Sequence, residues 1–265
     1  MIRGTTTLVG LLRDPLAQSL SPPMQNAAFE AAGLDWAYVP LGVHPADLED
    51  AVRGLVALGY AGANVTIPHK LGVVAFCDTL DPVAERAGSV NTLVIRDGTV
   101  HGSSTDGLAV TGAVDVAGAR VLMLGGGGAA QAVSCAVAEA GASSIVVASR
   151  TVERAGGLVA RLRSLYDVPV EAAEGWPPSA EDADVVIHAT PVKDDPLVSF
   201  RPGQHAVDMA YLVDGETAFV RAAREAGAAS VVDGLELLVR QGAASFERWT
   251  GREAPLDAMR AAVGR

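Results

Sequence analysis

The run "VLMLGGGGAAQA", residues 121–132, constrains this chain more than any other: an apolar strand-like segment breaks on four glycines and resumes as a helix. Gly125, Gly127 and Ala130 stand at G-x-G-x-x-A spacing. In a strand–turn–helix context that spacing marks a dinucleotide-binding unit of a parallel sheet. The glycines let the turn tighten and let backbone N–H groups approach a pyrophosphate, and the N-terminus of the following helix adds partial positive charge. The same pattern occurs in ordinary glycine-rich βα turns; the strands on both sides of this one favour the dinucleotide reading.

In NAD-binding units a carboxylate about 20 residues further on holds the ribose 2′-hydroxyl. Here the second strand runs into "ASRTVER", which sets Ser149, Arg150, Thr151 and Arg154 where the acid would stand. Guanidiniums beside hydroxyl donors suit a 2′-phosphate, which a carboxylate would repel, so NADP is the expected cofactor. The bland alternative is that Thr151 caps the next helix and the arginines are solvated.

The rhythm around this loop sets the fold class. From Arg120 onward "ARVLMLGGGG", "SSIVVASR", "VPVEA", "DADVVIHAT" and "HAVDMAYLV" read as strands interleaved with helices such as "TVERAGGLVARLRSLY" and "ETAFVRAAREAG", the pattern of a parallel doubly wound sheet. Before it, "TTTLVGLL", "WAYVPLGV" and "GANVTI" alternate with two helices. The first has Ser21 as N-cap, Pro22 as first helical residue and Gly33 as terminator; the second is "PADLEDAVRGLVALG". A hairpin follows, "SVNTLVIRDGTVHG", turning on Asp97 and Gly98. The expected architecture is α/β in two domains. Residues 1–106, completed by the helices of 235–265, form an α/β substrate domain, and residues 107–234 form a Rossmann-type NADP-binding domain.

Composition excludes several functions. With 20 basic and 31 acidic side chains the 265-residue chain carries a formal charge of −11, which argues against binding a phosphate backbone. Cys77 and Cys135 are too few for a disulfide framework or a zinc cluster, so no metal is expected. The uncharged stretch Val121–Ala138 holds four glycines and Gln131, so it does not read as a membrane span. The expectation is a reduced, soluble, cytoplasmic protein, monomeric or homodimeric, that binds a small molecule.

Polar residues gather at strand ends in the first half. "SLSP" carries Ser19 and Ser21, "NVTIPHK" carries Asn64, Thr66 and Lys70, "VNT" carries Asn91, "STDG" carries Asp106, and "RQG" near the C-terminus carries Gln241. Together they offer hydroxyls, amides, one ammonium and one carboxylate, a lining suited to a small polyhydroxylated acid. Taken singly, Ser21 is only a cap, Lys70 a solvated lysine and His69 a structural or surface histidine.

The ordered set "SLSP", "NVTIPHK", "AGSVNTL", "STDG", "GGGGA", "SRTVER", "DMAY" and "DGLELLVRQ" resembles the shikimate dehydrogenase family nearly end to end. The resemblance implies reversible NADPH-dependent reduction of 3-dehydroshikimate to shikimate, a step in making aromatic amino acids. It implies a substrate carboxylate near Ser19, Ser21 and Tyr211, ring oxygens near Thr66, Lys70, Asn91, Asp106 and Gln241, and Lys70 with Asp106 as the catalytic pair. Cofactor contacts would fall on Gly125, Gly126, Gly127, Gly128 and Ala129, on Ser149, Arg150, Thr151 and Arg154, and on Thr190, Met209 and Gly234. Three places depart from the family's pattern. Ser104 stands where asparagine is usual, "HATPVKDD" brings in His188 and Lys193, and the proline usual after Tyr211 is absent. Two alternatives remain open at this point: a quinate/shikimate dehydrogenase using NAD, and a non-catalytic regulatory binding module on the same scaffold.

Overall fold

Strand register explains why polar residues far apart in sequence share one end of the first sheet. β1 (Thr7–Arg13), α1 (Ser21–Ala31), β2 (Trp36–Gly42), α2 (Leu48–Ala57) and β3 (Gly62–Val65) form a βαβαβ run, with β1 parallel to both β2 and β3. β4 (Thr79–Leu80), α3 (Pro82–Ala87), β5 (Thr92–Arg96) and β6 (Thr99–Ser103) complete a sheet of order β2-β1-β3-β5-β6-β4. β5 runs antiparallel to β3 and to β6, with Asn64 opposite Thr92 and Thr92 opposite Ser103, while Leu12 lies beside Val65. The ends of β1, β3 and β6 and the start of β5 therefore coincide. Asp97 and Gly98 join β5 to β6 with φ of 51° and 78°, the two left-handed residues of a type I′ hairpin.

The structure is a computed structural model that describes residues 2–16 and 18–265. Contacts divide it into two compact units, Met1–Thr105 with Leu238–Arg265, and Asp106–Leu237. The second unit contains α4 (Asp106–Thr111), β7 (Arg120–Leu124), α5 (Gly128–Glu139), β8 (Ser144–Ala148), α6 (Val152–Leu165), β9 (Val170–Ala172), β10 (Val185–His188), β11 (His205–Asp208), α7 (Ala218–Glu225) and β12 (Ser230–Val232). Its strands pair in the order β12-β11-β10-β7-β8-β9, all parallel. This is the dinucleotide-binding order, with its reversal between β7 and β10. Val121, Leu122, Met123, Leu124, Val186 and Ile187 are buried at 2% exposure or less, as central strands covered on both faces must be.

α8 (Gly234–Thr250) begins in the second unit and continues in the first, where α9 (Leu256–Ala262) follows. In the first unit Phe246 of α8 stacks on Phe29 of α1 with centroids 5.5 Å apart, and the Trp249 indole N–H donates to the Leu93 carbonyl at 2.9 Å. Gly62 makes this approach possible, since a Cβ there would lie 2.1 Å from the Leu93 oxygen and 2.6 Å from the indole nitrogen. Gln25 of α1 donates to the Gly242 carbonyl at 2.9 Å. That bond fixes the stretch of α8 beside Gln241.

Several local expectations are corrected. Leu20, not Ser21, occupies the N-cap of α1 with helical φ and ψ; Ser21 is the first helical residue, and its N–H donates to Ser19 Oγ at 3.2 Å. β3 stops at Val65, so Thr66 and Ile67 lie beyond it. The crossovers 173–184 and 189–204 contain no helix, because Pro177 and Pro178 interrupt one and Pro191, Pro196 and Pro202 the other. α3, α4, β4 and β12 are short elements that sequence reading passed over.

Candidate active site

In the first unit the polar strand ends separate into residues that hold the fold and residues that stay partly exposed. Asn64 belongs to the fold: it is 6% exposed, accepts from the Tyr38 hydroxyl at 2.9 Å, and donates to the Asn91 carbonyl, Thr92 Oγ1 and Ser245 Oγ at 3.1, 3.2 and 2.9 Å. His69 is likewise structural, buried with Nε2 2.8 Å from the Val43 carbonyl. That contact leaves Thr66 and Lys70, on either side of it, half-buried at the end of β3. Ser19 is half-buried and Ser21 buried at the start of α1. The residue following Leu16 lies outside the described residues.

Asn91 connects three segments. Its amide nitrogen donates to Thr105 Oγ1 at 2.9 Å and reaches Gln241 Oε1 at 3.5 Å, while its oxygen accepts from the Thr105 N–H at 2.9 Å. The Gln241 amide is oriented in turn by donating to the Leu238 carbonyl at 3.0 Å. Thr105 is the residue that sequence reading missed here; its signal was its place between Ser104 and Asp106 in "STDG". Asp106 follows directly as the first residue of α4, 4% exposed. Lys70, Ser19, Ser21, Thr66, Asn91 and Gln241 belong to the first unit, Asp106 and Tyr211 to the second.

In the second unit the glycine loop leaves the carboxyl end of β7 at the switch point. Gly125 has φ of +134°, and a Cβ on it would lie 2.9 Å from the Ala189 carbonyl oxygen beyond β10. Gly126 packs against the first turn of α6, where a Cβ would meet the Arg154 Cβ at 2.9 Å. Gly127 is the N-cap of α5 in extended conformation, no side chain caps the helix, and its first turn (Gly128, Ala129) carries no acid. A cradle of small residues at an uncapped helix N-terminus fits a pyrophosphate.

Beside it, Ser149 Oγ accepts from the Thr151 N–H at 3.3 Å. Thr151 does stand at the N-cap of α6, but its hydroxyl makes no capping bond. Arg150, Thr151 and Arg154 are exposed, with no carboxylate at the end of β8. These donors fit a ribose 2′-phosphate.

Thr190 and Met209 flank the same sheet end from β10 and β11. Tyr211 carries Lys193 Nζ 5.6 Å from its ring centroid, a cation–π distance. Gly234 must be glycine, because a Cβ would lie 2.2 Å from the Ala210 carbonyl oxygen. A groove of about 470 Å³ lined by Asp115, Asp184, His205 and Ser230 lies at the amino ends of β10, β11 and β12. Ligands of open parallel sheets bind at the carboxyl ends, so this groove is not the candidate site. Among the described residues no cluster of His, Cys, Asp and Glu is placed to hold a metal, and no helix is long and apolar enough to cross a membrane.

A family model described as the shikimate dehydrogenase substrate binding domain matches residues 11–93, one described as shikimate / quinate 5-dehydrogenase matches residues 108–208, and the shikimate 5'-dehydrogenase C-terminal domain matches residues 234–263. Proteins named shikimate dehydrogenase (NADP(+)) from Moorella thermoacetica and Rubrobacter xylanophilus are 43% and 44% identical to this chain. The alignments cover 97% and 99% of it and 92% and 97% of those proteins. A shikimate dehydrogenase solved in complex with NADP+ superposes with a TM-score of 0.90 at 33% identity, covering 99% of this chain and 96% of that one. The ordered motifs, the strand order with its glycine loop, and full-length relatives at this identity lead to one conclusion: the chain belongs to the shikimate dehydrogenase family.

Proposed function

We propose that this protein is an NADP-dependent shikimate dehydrogenase, catalysing reversible reduction of 3-dehydroshikimate to shikimate in aromatic amino acid biosynthesis. The observation that carries the proposal is a glycine-loop nucleotide site with Arg150 and Arg154 in place of the ribose acid, in a chain of this family. The first unit supplies most of the substrate residues and the second the cofactor residues. Both ligands are small molecules, and the enzyme works in the cytoplasm as a monomer or homodimer.

NADPH, when bound, supplies the hydride that converts the ketone to an alcohol. The cofactor would be held by Gly125 to Ala129 at its pyrophosphate, by Ser149, Arg150, Thr151 and Arg154 at its 2′-phosphate, and by Thr190, Met209 and Gly234 at its nicotinamide half. The family resemblance assigns Ser19, Ser21 and Tyr211 to the substrate carboxylate; Ser19 and Ser21 stand at the start of α1, where the helix dipole favours an anion. Thr66, Asn91 and Gln241 hold ring oxygens, and Asn91 keeps Gln241 and Thr105 in register for that role.

Negative charge develops on the carbonyl oxygen during reduction, so a cationic donor both stabilises the transition state and delivers the proton. Lys70 takes that role from its ammonium Nζ. The family resemblance makes Asp106 its companion in the chemistry, accepting a hydrogen bond from the same oxygen once that oxygen is a hydroxyl. In the reverse direction Lys70 recovers the proton as the alcohol is oxidised.

The test is a steady-state assay of shikimate and quinate, each with NADP and with NAD. Turnover confined to shikimate with NADP is expected. Comparable turnover of quinate with NAD would replace the proposal with a quinate/shikimate dehydrogenase, and no turnover in any of the four combinations would make the protein a binding module.

A further inference from the structure

The parallel register of β10 and β11 sets His188 beside Asp208, and both side chains are fully buried. The Asp208 carboxylate collects three donors: the Ala210 N–H at 2.8 Å and His188 Nδ1 at 2.8 Å on Oδ1, and the Thr217 hydroxyl at 2.5 Å on Oδ2. A carboxylate only accepts, so Nδ1 carries the imidazole proton. In the tautomer protonated at Nδ1 alone, Nε2 is an acceptor, and it lies 2.5 Å from Thr190 Oγ1. The single hydroxyl proton of Thr190 is thereby spent on His188. Phe219, itself fully buried, covers the imidazole with ring centroids 5.1 Å apart, so water does not compete for these bonds.

We propose that His188 is a positioning residue of the cofactor site: it turns the hydroxyl of Thr190 so that Thr190 meets the nicotinamide half of the dinucleotide as an acceptor. One lone pair of Oγ1 takes the Val192 N–H at 3.3 Å. The other is left for a donor on the ligand, an amide N–H of the carboxamide or a ribose hydroxyl. Thr190 is half-buried while His188 is sealed beneath it, so the threonine is the group a ligand meets and the histidine acts through it. The backbone carbonyl of His188 also accepts the Met209 N–H at 2.9 Å. That backbone bond ties the start of the loop beyond β11 to the end of β10. The inference rests on reading the second unit as the NADP site.

The test uses Thr190→Val, His188→Asn and the double variant of the whole protein. Each is titrated with NADPH and with an adenosine bisphosphate that carries the 2′-phosphate but lacks the nicotinamide half. Asparagine keeps a donor for Asp208 but is too short to reach Thr190. Each single variant is expected to weaken NADPH binding about 2- to 12-fold, the size of one neutral hydrogen bond. The double variant should be no weaker than Thr190→Val, and binding of the adenosine fragment should not change. Native NADPH affinity in Thr190→Val would remove Thr190 from the cofactor site. Loss in Thr190→Val with native affinity in His188→Asn, or additive losses in the double variant, would overturn the role of His188. Equal losses for NADPH and the fragment would reduce His188 to a structural residue. If His188→Asn does not fold, long-range proton–nitrogen NMR of the native protein decides. The tautomer protonated at Nδ1 alone is expected, with Nε2 responding to NADPH but not to the fragment, and either the opposite tautomer or a ring protonated on both nitrogens would overturn the proposal.

Discussion

Alanine at Gly125 and alanine at Gly127 should separate what the glycine loop does for the fold from what it does for the ligand. At Gly125 the backbone sits at φ +134° and the new Cβ would lie 2.9 Å from the Ala189 carbonyl oxygen and 3.2 Å from its carbon, both backbone atoms. Backbone strain at such an angle costs about 1–3 kcal/mol and forced overpacking about 1–3 kcal/mol, so Gly125→Ala should lose about 2–6 kcal/mol of stability. At Gly127, φ is −87° with ψ −174°, and nothing lies within 4 Å of a new Cβ. Only the poorer N-cap preference of alanine applies there, about 1 kcal/mol. The Gly127 methyl would instead occupy the space through which a pyrophosphate approaches the helix, so NADPH affinity should fall on the order of tenfold or more. Urea unfolding followed by far-UV circular dichroism measures the first effect, and NADPH fluorescence titration the second. Native stability in Gly125→Ala would refute the close approach of the two loops, and native NADPH affinity in Gly127→Ala would refute the placement of the phosphates.

Arg150→Ala and Arg154→Ala should each weaken NADP binding about tenfold to a hundredfold, the worth of one charge-assisted hydrogen bond, with NAD kinetics little changed. Added salt should weaken NADP more than NAD, and equal effects on both cofactors would contradict the assignment. Ser19→Ala with Ser21→Ala should raise KM for shikimate while leaving KM for NADP nearly unchanged; steady-state kinetics varying each substrate in turn would expose a carboxylate bound elsewhere. Asp184 is held down to about 2 by a side-chain hydrogen bond from Arg120. Its contribution should therefore be intact above the ordinary carboxylate value near ~3.9 and fade as pH falls through about 2. Both partners are well exposed, so the Tm gap between native protein and Asp184→Asn should be small at neutral pH, and an undiminished gap near pH 2 would count against the pair.

What the sequence revealed and what it hid divide along the range of the interactions. The glycine loop was legible because its requirements are local: Gly125 needs a φ that only glycine adopts readily, and the strand and helix adjoin it. The turn at Asp97 and Gly98 was legible for the same reason. Ser21 was misread because a serine before a proline satisfies the start signal, yet Leu20 takes the cap position and Ser19 supplies the oxygen. α3 carried complete signals, with Asp81 accepting from the Ala84 N–H at 2.6 Å and Gly88 at φ +60°. At six residues it is too short for apolar periodicity to announce it. Asn64 looked like a ligand group at a strand end, and only strand pairing shows that its bonds are spent on Tyr38, Asn91, Thr92 and Ser245. The partners of His188 were hidden in the same way, since Asp208 is twenty residues away and becomes a neighbour only through the register of β10 and β11.

The assignment of Lys70 as proton donor lies at the centre of this account, and the kinetics of Lys70→Met test it most directly. Methionine keeps the length of the side chain and removes the ammonium. The account predicts kcat lowered by on the order of 10² or more, the usual size of a general-acid effect, with Kd for shikimate and for NADP close to native and an unchanged unfolding transition. A Lys70→Met enzyme that turns over at near-native kcat would contradict it and remove Lys70 from the chemistry.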